Sequence, residues 1–517
     1  MNPSRCIHLA LALLLPHLLA CGTPPLDAPP SVSTSDPDAL GSSDETTLTA
    51  SPIASLSLDA FVRQTAAGAD LHVVDPATRS VRITALPPSF DSLLLSPDRR
   101  QAIIVTRTPP PSRKAFEWVT LASGASRTLT VTPGDDVAGN GIGFAPNSRW
   151  FAFTLTRQGV ARIVVEGLSG ARFELALPSE ARHVHTLAWS PDSRRLIAHY
   201  STATAIRGFG AMELSRAGVP KRDFRSLAAL APDETIFSIH YAPEGWVVAE
   251  VERNHTLNVV AFGPAGERIN VRDDFGVTDL VGVVFSPVAP FASFRSGTTL
   301  YQLELATPNL LSDPTLHGSI LRWSRSGWLI TDGAGGALSV RRTADLGLIR
   351  TIAPPSSARP PINLRWSADR RGVVVTFCDW PAGSSVFKGP SAHWFVGDSA
   401  TETAAVSVIE DIGAPSFEAN WLFAPEHHPT RPLVAYLKRR QHALELALYD
   451  TATRQPAGST GIPGPDTVTP DSRWSVDGES LLIVHETAAA LYERASGNVV
   501  VLESYSNTVR VDLAATP

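Results

Sequence analysis

The stretch "LAWSPDSRRLIAHY" runs from Leu187 to Tyr200 and holds two apolar segments separated by Ser-Pro-Asp-Ser. Proline holds φ at about −65°, which suits Pro191 to the second position of a tight turn. Ser190 opens that turn, Asp192 can bond the backbone just after it, and Ser193 or a glycine closes it. The alternating residues about Ile197 then continue as a second strand, so the segment reads as a β-hairpin.

The same arrangement recurs along the chain. It is seen in "LLLSPDRRQAIIV" at Leu93, "IGFAPNSRWFAFTL" at Ile142, "IHYAPEGWVVAEV" at Ile239 and "VVFSPVAPFASF" at Val283. It continues in "LRWSRSGWLIT" at Leu321, "LRWSADRRGVVVTF" at Leu364, "WLFAPEHHPTRPLVAYL" at Trp421 and "SRWSVDGESLLIVHE" at Ser472. With the Leu187 segment this makes nine copies, spaced by 38 to 57 residues, which marks a repeat architecture.

Each copy is followed by a further apolar strand, a polar turn and a polar outer strand, as in "LELALYDTATRQPAG" and "AALYERASGNVVVLE". Four short antiparallel strands per unit form the blade of a β-propeller. A lone blade cannot bury both faces, so the units must lean on their neighbours, with the Trp, Phe or Leu before each turn filling the gap. The expected fold is therefore all-β, a propeller of nine or ten four-stranded units. One large ring is the preferred reading and two smaller propellers the alternative. The unit around Phe61 lacks an inner strand, and "NTVRVDLA" from Asn507 is expected to supply it, pairing the end of the chain with the first blade and removing open edges.

The Trp-Ser-Pro-Asp type of repeat, followed by an apolar strand, resembles the WD-like repeats of the TolB propeller family over about residues 52 to 505. That resemblance implies a propeller in the bacterial envelope. This chain departs from the family in two ways: a tether stands where TolB has an α/β domain, and its motif copies outnumber TolB's blades.

The N-terminus has a different character. Arg5 precedes the apolar run "IHLALALLLPHLLA", whose 14 residues fall short of the roughly 20 needed to cross a bilayer as a helix. A cleaved signal over residues 1–20 is expected. Leu18, Leu19, Ala20 and Cys21 resemble the bacterial lipobox, which implies acylation of Cys21 and attachment to a membrane through several acyl chains. Gly22 stands where an inner-membrane retention signal has Asp, which favours the outer membrane. Residues 21–50 contain no aromatic and no basic residue and read as a disordered tether with a reach of roughly 30 Å. Residues 51–517 are expected to form the propeller. Cys6 leaves with the signal and Cys21 carries lipid, so Cys378 stands alone and no disulfide is expected.

The formal charge is −6, and removing Arg5 together with Asp27, Asp36, Asp38, Asp44 and Glu45 leaves −2 for the folded part. No basic excess is present to neutralise phosphates, so nucleic acid is not an expected partner.

Candidate sites are few. A G-x-S-x-G elbow is absent from the sequence, and no stretch is left over for a hydrolase domain. His183 and His185 alternate on a strand but need further ligands for a metal, and His427 and His428 belong to another unit. "GDDVAGNG" from Gly134 offers Asp136 and Asn140 to calcium but lacks the remaining ligands, so an ordinary polar loop is expected. No metal and no cofactor is expected, and Cys378 reads as a buried thiol. The longest irregular excursion, "CDWPAGSSVFKGPSAHW", presents Trp380, Phe387, Lys388, His393 and Trp394 if read as a loop, and long loops of repeat proteins are frequent binding elements. The functional expectation is a lipid-anchored, non-enzymatic module that binds or scaffolds a protein or peptide. The alternatives are a propeller lyase or glycan hydrolase with a central-channel site, or a carbohydrate-binding protein.

Overall fold

The computed structural model describes residues 58–513, interrupted chiefly at 109–113, 215–224, 315–320, 355–360, 379–389, 399–403, 412–419 and 463–469. The hairpin turn is built as the sequence leads one to expect, and its chemistry repeats. Ser96 N donates to Gln101 O at 2.9 Å, Gln101 N donates back to Ser96 Oγ at 3.0 Å, and that hydroxyl donates to Asp98 Oδ1 at 2.6 Å. Ser190, Arg195 and Asp192 make the same three bonds at 2.9, 2.8 and 2.5 Å. Ser475, Ser480 and Asp477 make them at 2.8, 3.1 and 2.6 Å.

The fourth position of the turn takes a left-handed backbone, with φ of 54° at Arg99, 61° at Ser148, 60° at Ser193 and 72° at Gly478. Glycine suits such a position best, and at Gly478 it is required twice over, because an added Cβ would strike the His428 imidazole. Serine stands there in two blades for a different reason. Ser148 Oγ accepts from Asp98 N, and Ser193 Oγ accepts from Asn147 N, each at 2.9 Å and each from the blade before. The turn that reverses one blade thus also ties it to its neighbour.

Ten sheets follow one another round a single ring, a β-propeller of ten blades. In blade 2 the strands Phe90–Leu95, Gln101–Arg107, Lys114–Thr120 and Ser126–Leu129 lie in sequence order, innermost first. Blades 3 to 10 follow from 136 to 504 on the same plan; in blade 9 a short segment, Glu426–His427, also pairs with the second strand. Blade 1 is composite: Thr508–Leu513 pairs antiparallel with Asp59–Thr65, which is followed by Gly68–Asp75 and Ser80–Ala85. The expected closure by the last strand is therefore present, and the blades form the one large ring, not two smaller propellers.

Packing follows from the blade. Both faces of its middle strands are covered, so Gly372–Cys378 is buried at every residue, whereas the outer strand Ser80–Ala85 is mostly exposed. Ten apolar clusters occur among the described residues, one at each junction of adjacent blades. The cluster at the closing junction joins Phe61 and Val74 of blade 1 to Leu482, Val484 and Ala489 of blade 10. Aromatic residues before the turns also reach backwards round the ring. Trp189 Nε1 donates to Gly143 O at 3.1 Å, and Trp474 Nε1 to Glu426 O at 3.4 Å.

A chain ending before Thr508 loses the inner strand of blade 1 and exposes the edge of Asp59–Thr65, an open template for pairing with other chains. Such a truncation is expected to self-associate and melt at lower temperature than the full chain, as checked by light scattering and a thermal scan.

Candidate functional site

The innermost strands surround an opening, not a packed core. Asp471, Arg510, His183 and Gly282 on those strands are exposed, and Val281 is 48% exposed. Among the described residues, the inner strand of seven blades carries extra residues against its partner: at Val509, Asp91, 139–142, Arg182 and His185, Phe237, 282–283, and Ile362. Bulges of this kind bend the strand and re-aim its side chains.

Where the turns face the opening, charge is concentrated across blades 8, 9, 10, 1 and 2. Asp59, 1% exposed, receives Arg473 Nη2 on Oδ1 and Arg473 Nε on Oδ2 at 3.2 Å. Arg99 Nη1 reaches the same Oδ2 at 3.1 Å and also bonds the Trp474 carbonyl. One buried carboxylate therefore joins blades 10, 1 and 2 beside the strand that closes the ring. Next to it, Arg365 Nη1 pairs with Glu426 and with Pro425 O, while His427 Nε2 bonds Arg365 O at 2.9 Å.

The two outer carboxyl groups of this array are held above the ordinary range. Burial pushes Glu426 up, against the pull of the Arg365 guanidinium. Asp471 is raised first by the protein walls around it, although one side is open to the channel, and the Asp512 carboxylate adds to the rise.

A second polar group lies across the ring in blade 5. Ser238 Oγ and His240 Nε2 are 2.8 Å apart, and Glu250 bonds Ser238 from the paired strand Val247–Arg253. The His240 ring lies tilted by 31° against that of Phe285 of blade 6, with centroids 4.7 Å apart.

The residues singled out from the sequence fall differently. Cys21, Trp380, Phe387 and Lys388 lie outside the described residues. His393 and Trp394 are not on a loop: both sit in the strand Pro390–Asp398 of blade 8, which corrects the loop expectation. Proline is tolerated at the first residue of a strand, and Pro390 begins this one. His393 is fully buried, with Nδ1 3.1 Å from Thr376 Oγ1 and Nε2 3.0 Å from Phe423 O. Trp394 packs edge-on against Phe377 with centroids 5.1 Å apart.

Asp136 lies in the strand Asp136–Phe144 instead of a loop, and neighbouring Asp135 is held by Arg157 at 2.7 Å. Register slips flank His185, which bonds Ser201 at 2.9 Å, while His183 is exposed. Cys378 is buried. Among the described residues there is no group of three or more His, Cys, Asp or Glu that could hold a metal ion. The Asp59 array escaped sequence reasoning because its members lie 40 and 414 residues apart. Only the turn position of Arg99 was marked in the motif.

No protein family and no curated protein matches this chain. Among solved structures it is similar to a prolyl endopeptidase at 12% identity and a TM-score of 0.39, over 76% of this chain and 53% of that one. It is similar to a eukaryotic initiation factor at 11% identity and 0.44, over 89% and 99% of the two chains. It is also similar to the Dos1 propeller at 10% identity and 0.35, over 80% and 91%. The chain spans about half the length of the prolyl endopeptidase.

Two outcomes follow from these geometries. Burial holds the His393 imidazole down to about 4, so between pH 6.5 and 4 the unfolded chain binds the extra proton and the native one does not. Its stabilising contribution is full above the unfolded value and falls with acidification, by about 2 kcal/mol between pH 7 and pH 5. Urea unfolding of the protein and of His393→Asn at both pH values should show that difference shrinking in the variant. Arg473→Ala leaves the Asp59 carboxylate with Arg99 as its remaining charged partner and is expected to cost about 3 kcal/mol in the same measurement.

Proposed function

We propose that the chain is a lipid-anchored module of the bacterial envelope that binds or scaffolds a protein or peptide and catalyses no reaction. The observation that carries this reading is the open channel: a closed, ten-bladed ring whose inner strands leave Asp471, His183, Val281 and Arg510 uncovered. Rigid repeat rings present such walls and the loops around them as binding surfaces. The lipobox-like Leu-Leu-Ala-Cys ending at Cys21 supports the anchor, and the acylated cysteine followed by residues 22–50 would hold the ring near a membrane, the outer one on the evidence of Gly22. The kinship of the repeats with TolB belongs to the same proposal, as does partner contact by Trp380, Phe387 and Lys388. The absence of enzymatic activity is proposed on the sequence, which carries no nucleophile elbow.

In a bacterial host the protein is expected in the membrane fraction with a mass at the mature amino end that includes acyl chains. Cys21→Ser should move it to the soluble or unprocessed pool. Affinity capture from envelope extracts, with and without residues 380–389, should yield one partner that the shortened chain loses. An unmodified Cys21, or no specific partner for the full chain, would overturn the proposal.

A further inference from the structure

The polar group of blade 5 differs from those around His393 and His428, whose side chains are fully buried. His393 is engaged at both nitrogens, and His428 bonds Gly478 O through Nε2 while Nδ1 accepts from Thr430 N and Arg431 N. His240 is bonded at Nε2 alone, and among the described residues its Nδ1 has no protein partner. Its side chain is 40% exposed, whereas that of Glu250 is 12% exposed. The bulge at Phe237 sits directly before Ser238, on an innermost strand, Glu234–Tyr241, whose other edge carries no neighbour in the sheet order.

This arrangement is unsuited to acyl transfer. The Ser238 hydroxyl is engaged from both sides, by the imidazole and by the carboxyl group. Glu250 lies 3.9 Å from the same Nε2, not on Nδ1, so it does not orient the ring as the acid of a nucleophile–base relay does. It is well suited to recognition. A hydroxyl, an imidazole and a carboxyl group supply donors and acceptors side by side, and a free strand edge next to them can pair with an extended backbone.

We propose that Ser238, His240 and Glu250 form a subsite on the channel wall that takes the uncharged amide side chain of an extended polypeptide, a reading that rests on the binding function above. The protein around them favours a neutral ligand: Glu250, 12% exposed, is raised by burial toward its uncharged form, and the half-enclosed His240 is lowered toward its own. An ion brought against Glu250 would lose part of its hydration with no full opposite charge to replace it. A sugar is disfavoured because Phe285, the aromatic ring against which His240 lies, offers little free face on that side. Exposed Val281 on the neighbouring inner strand offers an apolar contact to the flanking residue of the peptide.

The test uses the full chain with 13C-labelled histidine and assigns the His240 resonance by its loss in His240→Gln. Titration with acetyl-Val-Gln-Val-amide should move that resonance to saturation. Loss of one hydrogen-bonding partner should weaken the peptide by about tenfold in Ser238→Ala, measured below that variant's own, lower, melting transition. Acetyl-Val-Glu-Val-amide should be weaker by a similar factor in the unmodified chain. Calorimetric binding of the Gln peptide that leaves the His240 resonance still and is indifferent to Ser238→Ala would sink the subsite but not the binding function. An equal response to glucose or to the Glu peptide, or no response to any probe at about 20 mM, would overturn the subsite as well.

Discussion

A sheet of four short strands has two apolar faces and no means of covering either. That constraint governs the whole molecule. Each blade here is covered by the blade on either side, so the apolar core is not one mass but a set of clusters, each shared by two sheets. Such a stack is satisfied only if it closes, because the first and last faces would otherwise remain bare. Closure falls to blade 1, whose inner strand is contributed by Thr508–Leu513 and whose other strands begin at Asp59. The Asp59 carboxylate, clasped by Arg473 and Arg99, reinforces that junction where the strand from Asp59 meets the closing strand Thr508–Leu513.

The repeated turn serves both the blade and the ring. Within a blade, a serine hydroxyl and an aspartate carboxylate occupy the polar groups of a four-residue reversal. Between blades, Ser148 and Ser193 take a left-handed backbone, which glycine would adopt at less cost, and each accepts a hydrogen bond from the blade before. A local strain is thus kept because it links neighbours. Blade 10 uses Gly478 instead, since His428 fills the space a side chain would need.

A ring of ten has inner strands that do not meet at its axis, so those strands carry polar groups that a narrower ring would bury. The charged arc around Asp59, Glu426 and Asp471 and the hydrogen-bonded group around Ser238 and His240 occupy different sectors of that wall. One sector combines opposite charges, and the other offers hydrogen bonds near exposed Val281. An extended partner meeting both would need a matching asymmetry.

Blade, turn and closing strand were legible in the amino-acid sequence because their causes are local: proline's fixed φ, the reach of Ser and Asp side chains to nearby backbone, and alternation along a strand. The candidate site was far less legible. The loop reading took in His393 and Trp394, which belong to a strand, and alternation alone could not foresee the extra residues at Phe237 or His185, where one added residue changes which face the following side chains meet. The sequence by itself determined the repeat, the reversal within each unit and the identity of the strand that completes the first blade. Only the tertiary structure decided that ten units share one ring, and that Asp59 meets residues hundreds of positions away. Those outcomes depend on how sheets pack and twist around a common axis, which no short window of residues contains.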